Sequence, residues 1–321
     1  MDKMKIDLVY LWVDGSAPAW RAKHNACIGK TEEKSTVNCE GRYADNDELK
    51  YSLRSVEMYA PWIHRIFIVT DNQVPAWLDT DNPKVRIVDH TEIMPPASLP
   101  CFNATVIEHF LYRIPGLEEH FLFANDDMFI NRPVTPGTFF APDGFPIIRA
   151  NPNWLRTKFL AFKEKVFGIP MKNYVRIIQN AALLVKQQYG IYYKWKTHHN
   201  IDAYLKSSYR HAEEIFKQEI AATITNHIRS DNDIQRNLHS YVALTEKRAH
   251  LQHVTQKTSF RLQIHRDDHY RKLEEYNPLF FCMNDSEYAD DNDRNKVTAF
   301  LAKRFPKKSQ FEVSGCATDE E

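Results

Sequence analysis

The stretch HFLFANDDMFINRPV, residues 120–134, carries the densest set of side chains that could do chemistry. An apolar run at 121–124 ends in Asn125, Asp126 and Asp127, and Pro133 closes the stretch. A short apolar run bounded this way reads as a buried strand. Open α/β sheets bind ligands beyond the carboxyl ends of their strands. Two carboxylates there suit a hard divalent cation shared with a substrate phosphate, Mg²⁺ or Mn²⁺, with Asp126 and Asp127 as its ligands. The same residues also read as a solvated Asn-Asp-Asp turn. On a continuing strand Asn125 and Asp127 share a face and Asp126 points away. If the chain turns after Asn125, both acids converge.

Other positions offer complementary chemistry. Asp14-Gly15 ends the run 6–13 and is either a turn or a ligand loop. Asp45 with Glu48 three residues on resembles a capping box, so Asp45 and Asn46 cap a helix or help its N-terminus draw an anion. Arg42 and Arg54 could add charge for a phosphate. His198-His199 is a general base, a metal ligand or a surface pair. Arg229, in NHIRSDN, matches phosphate geometry. Asn284 tips the apolar run 279–283.

These groups need elements to hold them. The runs 6–13, 65–70, 85–88 and 121–124 read as strands, and 45–60 and 103–114 as helices with apolar residues at helical spacing. That order predicts a layered α/β fold with a mostly parallel sheet and a helical insertion. Four strands end in acid, at Asp14, Asp71, Asp89 and Asp126/Asp127, and a parallel sheet would bring those ends to one edge. Residues 21–41 show no clear period and read as a loop. The segment 149–172 is basic and aromatic, with Glu164 its one acid. It fits either a segment meeting an anionic polymer or a membrane surface, or a helix packing its rings inward. Residues 173–189 read as a helix with Gly190 at its C-cap. The chain is expected to divide into an N-terminal part of a catalytic core at 1–148, a mainly helical insertion or acceptor lid at 149–225, a C-terminal part completing the core at 226–313, and a tail at 314–321.

Composition narrows the classes. Lys+Arg is 42 and Asp+Glu is 42, so no net charge argues for nucleic acid. No G-x-G-x-x-G and no P-loop motif occurs. The five Cys are scattered and form no C-x-x-C, which fits a reduced, cytosolic chain rather than a zinc site or disulfide framework. The run 6–13 reads as a strand rather than a signal peptide, and no stretch of about 18 apolar residues exists to span a membrane.

Four blocks resemble the Stealth family. They are IDLVYLWVDGSAPAW, then RYADNDELKYSLRSVEMYAPWIHRIFIVTDNQVPAWL through LPCFNATVIEHFLYRIPGLEEHFLFANDDMFINRPV, then NAALLVKQQYG through HHNIDAYLKS to HIRSDNDIQ, and last FFCMNDSEYADDNDRNKVTAFLAKRFPKKSQFE. Many relatives show His-x-Pro in the third block; this chain has His198-His199-Asn200, so both His stay candidates. The resemblance implies transfer of a sugar-1-phosphate from a UDP-sugar to a hydroxyl of an acceptor saccharide, with release of UMP, in capsular or exopolysaccharide synthesis. On that reading Asp126 and Asp127 hold Mg²⁺ or Mn²⁺ on the diphosphate, Asp14, Gly15, Arg42, Asp45, Asn46, Asn125 and Asn284 contact substrate, Arg229 stabilises phosphoryl charge, and His198 or His199 takes the proton. The expected setting is the bacterial cytoplasm, with peripheral contact to a membrane-bound synthesis complex. The alternatives are a metal-dependent glycosyltransferase releasing UDP and a non-catalytic polysaccharide-binding protein.

Overall fold

A computed structural model describes residues 4–28, 43, 45–152, 154–286 and 288–314. Strand β1 (Ile6–Leu11) is followed by helices α1 (Pro18–Ile28) and α2 (Glu48–Tyr59), then β2 (Ile66–Thr70) and β3 (Val85–Asp89). Two short helices, α3 (His90–Ile93) and α4 (Ala104–Glu108), lead to β4 (His120–Asn125), which turns directly into β5 (Met128–Ile130). After α5 (Pro136–Phe139) come β6 (Ile147–Pro152), α6 (Trp154–Phe167), α7 (Asn173–Tyr189), β7 (Trp195–Thr197) and β8 (Asp202–Leu205). Helices α8 (Lys206–Ile215), α9 (Lys217–Ala221) and α10 (Asn237–Thr245) follow. The remainder is β9 (His250–His253), β10 (Ser259–Gln263), α11 (Asp267–Tyr276), β11 (Phe280–Asn284) and α12 (Asp291–Arg304).

The main sheet has the order β3-β2-β1-β4-β8. Its first four strands are parallel, and β8 runs antiparallel to β4. The class is the α/β class that the alternation of strands and helices predicts. Both faces of the sheet are covered, which is why β1, β2 and β4 carry the apolar runs 8–11, 66–69 and 121–124. On β1, Leu8 and Tyr10 pack with Leu49, Leu53 and Val56 of α2 on one face. Val9 and Leu11 pack with Val106, Ile107 and Phe110 on the other. From β1 the chain winds outward through β2 to β3, then returns to lay β4 on the opposite side of β1. The strand order therefore reverses between β1 and β4, and a crevice opens at their carboxyl ends.

A second sheet, β10-β11-β5, is built from both halves of the chain. Residues 128–130 pair antiparallel with residues 280–282, so the segment after Asp127 is held by the C-terminal part. A third sheet, β7-β6-β9, is drawn from the middle and later parts of the chain. Among the described residues no helix is long and apolar enough to cross a membrane.

Several local expectations change. Residues 21–28 belong to α1 rather than a loop. Only Trp20 and His24 of that helix are buried, stacked at 4.8 Å, which is too sparse a period to read in sequence. The capping box at Asp45 and Glu48 does not form. Helix α2 starts at Glu48 after Asp47, which adopts a left-handed φ of 64° and makes no side-chain cap. The helix expected at 103–114 is α4, capped by Asn103, then a 3₁₀ turn at Leu111–Arg113. Strand β8 lies inside the segment expected to be a helical insertion, yet it pairs with β4 in the main sheet.

Candidate active site

The crevice at the β1/β4 reversal is a cavity of about 430 Å³. Its floor is the turn after β4. There Asp126 and Asp127 follow one another off the strand, and both line the cavity with Asn125. The chain turns after Asn125, so the two acids converge instead of facing opposite sides. The turn is fixed by an Asp127 N–H donation to Asp126 Oδ1 at 3.0 Å and by Met283 N–H donating to the Asp127 carbonyl at 2.9 Å. Cys282 donates its thiol to Asp127 Oδ2 at 3.0 Å. Asp127 Oδ1 is buried and has no hydrogen-bond partner.

Glu48 stands on the same wall. Its carboxylate accepts from the backbone and side-chain nitrogens of Asn46 at 2.6 and 2.8 Å. Asp45 accepts from Trp12 Nε1 at 3.2 Å and from Asp47 N–H at 2.9 Å. Three carboxyls, Asp126, Asp127 and Glu48, thus line the cavity, with Asp45 close behind them. Burial, then repulsion from Asp127, Glu48 and Asp45, raises the Asp126 carboxyl well above its ordinary range. Burial lifts Asp127 to about 6, Asp45 to about 6 and Glu48 to about 7. A cluster in which every acid resists ionisation favours a positive charge in its midst.

The cavity also has basic lining. Arg229, Arg261 and Lys172 line it, with Tyr174 and His199 between. His199 meets Tyr174 edge to face at 6.3 Å, and its Nδ1 is buried without a partner. Burial, then Arg236 and Arg261, hold its imidazole well below the ordinary pKa, so it is neutral with a lone pair to offer. One atom each of His199, Asp127 and Cys282 lies within 4.8 Å of the others, a grouping that could hold a metal ion. At the β2 end of the cavity, Trp20, Tyr43 and Phe102 form an aromatic wall with Asp71 and His90. Ring centroids of Trp20 and Phe102 are 5.2 Å apart.

Of the residues singled out in sequence, Asn125, Asp126, Asp127, His199, Arg229 and Asn284 line this cavity. His198 does not. It turns inward, with Nε2 3.3 Å from Asp202 Oδ1. Asp202 in turn is ion-paired with Arg236 at 3.1 Å. Asp45 and Asn46 are half-buried and off the cavity lining, bonded to Trp12 and Glu48 respectively. Asp14 folds back to accept from Ser16 N–H and Oγ at 2.8 and 2.6 Å. Gly15 is also off the wall and sets a close approach: its N–H donates to the Tyr43 carbonyl at 2.9 Å, and a Cβ there would lie 2.4 Å from that oxygen. Arg42 lies outside the described residues. Arg54 is no phosphate ligand, because it is buried in a bidentate pair with Glu312 at 2.8 and 2.7 Å. The four acid-tipped strands converge only in part. Asp71 lines the cavity and takes Lys23 as partner, whereas Asp89 caps α3. Sequence reasoning missed Glu48, Tyr174, Arg261 and Gln263 as wall residues, and Cys282 as the buried thiol that bonds Asp127. The lone signal was Glu48, whose spacing from Asp45 looked like capping.

Residues 42–148 match Stealth conserved region 2, and residues 4–32 match Stealth conserved region 1. The chain belongs to the Stealth family. This Stealth chain is 35% identical to the exopolysaccharide phosphotransferase SCO6023 of Streptomyces coelicolor over 97% of its own length and 53% of that protein. It is 35% identical to the exopolysaccharide phosphotransferase CpsY of Mycobacterium tuberculosis over 96% of itself and 58% of that protein. The receptor polysaccharide phosphotransferase WefC of Streptococcus oralis is 47% identical over 44% of the chain and 43% of that protein. The chain spans about half the length of the curated relatives it matches over nearly all of itself. Among solved structures, the galactosyltransferase LgtC in complex with donor and acceptor sugar analogues aligns with a TM-score of 0.47 at 12% identity, over 95% of this chain and 98% of that one.

Proposed function

We propose that the chain is a sugar-1-phosphate transferase. The donor is a UDP-sugar, and an acceptor-sugar hydroxyl attacks its β-phosphorus. The new phosphorus–oxygen bond forms as the bond to the oxygen bridging the two phosphates breaks. UMP leaves with that oxygen, and the anomeric bond is untouched. The observation that carries the reading is one cavity holding a neutral, half-buried His199 within 4.8 Å of Asp127, with Asp126, Arg229 and Arg261 also on its lining. Phosphoryl transfer needs that set: a proton acceptor, and positive charge around the transferring oxygens.

His199 accepts the proton of the attacking hydroxyl. Arg229 and Arg261 stabilise charge on the phosphoryl oxygens. Asn125 and Asn284 orient the donor. Residues 149–225 supply the acceptor side through Lys172, Tyr174 and His199. The aromatic wall of Trp20, Tyr43 and Phe102 suits the uracil ring. The donor set fits a divalent cation, because Asp127 Oδ1 is a buried oxygen without a partner amid acids that resist ionisation. Asp126 and Asp127 would hold Mg²⁺ or Mn²⁺, with Glu48 adding negative charge. When bound, the cation neutralises the diphosphate. The three free thiols among the described residues suit a reducing cytoplasm, with peripheral contact to a membrane-bound polysaccharide synthesis complex.

The test is nucleotide release. The purified chain is incubated with UDP-sugars, Mg²⁺ or Mn²⁺ and a capsular oligosaccharide. Acceptor-dependent UMP is the expected product. Acceptor-dependent UDP would mean that the sugar alone is transferred, and would overturn the reading.

A further inference from the structure

Helix α6 is built the wrong way round for a helix of a water-soluble surface. Phe159, Phe162 and Val166 fall on one face by helical spacing, and Lys163 falls among them. These three apolar side chains, with Phe167 and Ile169 just beyond, are 49–63% exposed. They make up five of the twelve large apolar side chains that are exposed among the described residues, so exposed apolar surface is concentrated here rather than scattered. The opposite face carries Glu164. Its carboxylate takes Arg176 of α7 as partner and accepts from Met171 N–H at 3.2 Å. The helix is therefore held to the body by an ionic contact and turns its rings outward. Packing of these rings into the core, one of two sequence readings of the segment, does not occur.

The exposed face sets aromatic rings beside lysines, a pairing that suits a lipid interface. Phe162 and Phe167 meet edge to face at 6.3 Å. The Lys163 ammonium lies 5.4 Å over the Phe159 ring, and Lys165 adds a second cation nearby. The one acid of the segment, Glu164, is already engaged by Arg176. Aromatic rings flanked by lysines that form no ion pair among the described residues bury into the acyl boundary and draw anionic headgroups. A two-fold pairing of this face with a second copy would bring like-charged lysines together. A polysaccharide would leave most of the apolar surface uncovered.

We propose that α6 is a docking helix for an anionic lipid bilayer. It names a surface for the peripheral contact and does not rest on the phosphotransferase chemistry. Lys172, five residues beyond Phe167, lines the catalytic cavity, so a bilayer under α6 lies beside the acceptor side of the site. An acceptor carried on a lipid would then be presented to His199.

The experiment is vesicle flotation of the full chain. Vesicles are phosphatidylcholine alone, or phosphatidylcholine with phosphatidylglycerol. The wild type is expected to float with the phosphatidylglycerol vesicles and to stay behind with phosphatidylcholine alone. The pair Phe162→Ser with Phe167→Ser is expected to lower the floating fraction about ten-fold while leaving the melting temperature unchanged. A wild type that does not float with phosphatidylglycerol vesicles overturns the proposal, as does a double variant that floats equally well. A wild-type dimer in size-exclusion chromatography that the double variant converts to monomer, without vesicle binding, also overturns it and assigns the face to a second copy. UMP release on a soluble oligosaccharide without vesicles is read separately. It is expected to be the same in the double variant, which separates a failure of docking from a failure of the chemistry.

Discussion

At the scale of single residues, the pair His198-His199 divides its work by side-chain direction. His199 faces the cavity and His198 faces Asp202. His199→Gln is expected to lower kcat about 10²–10⁴-fold with the fold intact, the usual range for loss of a general base. His198→Gln is expected to act on stability, because it disturbs the buried Asp202–Arg236 pair. Steady-state kinetics beside circular dichroism checks both. A fully active His199→Gln protein would remove His199 from the chemistry. The acid cluster makes a second prediction. Glu48, lifted to about 7, is mostly protonated at pH 6 and ionised at pH 8. A cation favours the ionised form, so binding releases the proton, and affinity rises with pH. Between pH 6 and 8 Glu48 alone should tighten Mn²⁺ binding about ten-fold. Titration calorimetry at both pH values measures it, and equal affinity at the two would show that this cluster is not where the cation sits.

At the scale of elements, the site exists because β1 and β4 are neighbours whose connections leave in opposite directions. The Asp14-Gly15 turn after β1 works through Gly15 more than through Asp14. Its hydrogen atom allows residue 43 to approach, which sets Tyr43 on the aromatic wall. In Gly15→Ala the new methyl would lie 2.4 Å from the Tyr43 carbonyl and 2.5 Å from its Cβ, so the Tyr43 segment must move. The donor KM is expected to rise about ten-fold with a smaller change in kcat, since the damage falls on binding away from the reacting phosphorus. An unchanged KM would separate Tyr43 from donor binding.

At the scale of the whole molecule, distant parts of the chain are stitched around the site. Strand β5 depends on β11, and α2 depends on the C-terminal segment through Arg54 and Glu312. Arg54 also donates to the Phe305 carbonyl at 2.9 Å. Both charged side chains of the pair are almost fully buried, so Glu312→Gln strands Arg54 and should cost about 3–5 kcal/mol. Chemical denaturation measures the loss. The pH dependence has a definite sign. Burial raises the Glu312 carboxyl, but its bonds with Arg54 and Ser309 outweigh burial and leave it below 4.5. A depressed folded-state pKa adds stability that is complete above the unfolded value and fades as pH falls through the folded one. Wild type and Glu312→Gln should therefore converge in stability on acidification below about pH 4.5. A gap that stays constant to pH 3 would mean the pair stabilises by packing alone.

What the sequence determined by itself is whatever is written in local pattern. Strands buried on both faces, such as those holding residues 8–11 and 121–124, appear as unbroken apolar runs, and the acids beyond them stand out. The family blocks were also legible, because their residues are contiguous in the chain. Tertiary structure alone decided what depends on contact across long separations. The thiol of Cys282 reaches Asp127 from 155 residues away, and no local pattern records such a meeting. Glu48 looked like a cap because capping is a local rule, whereas its place on the cavity wall follows from Asn46 and the packing of α2 on β1. The choice between His198 and His199 was closed to sequence for the same reason. Adjacent residues have one chemistry, and only the fold sets which of them faces the cavity.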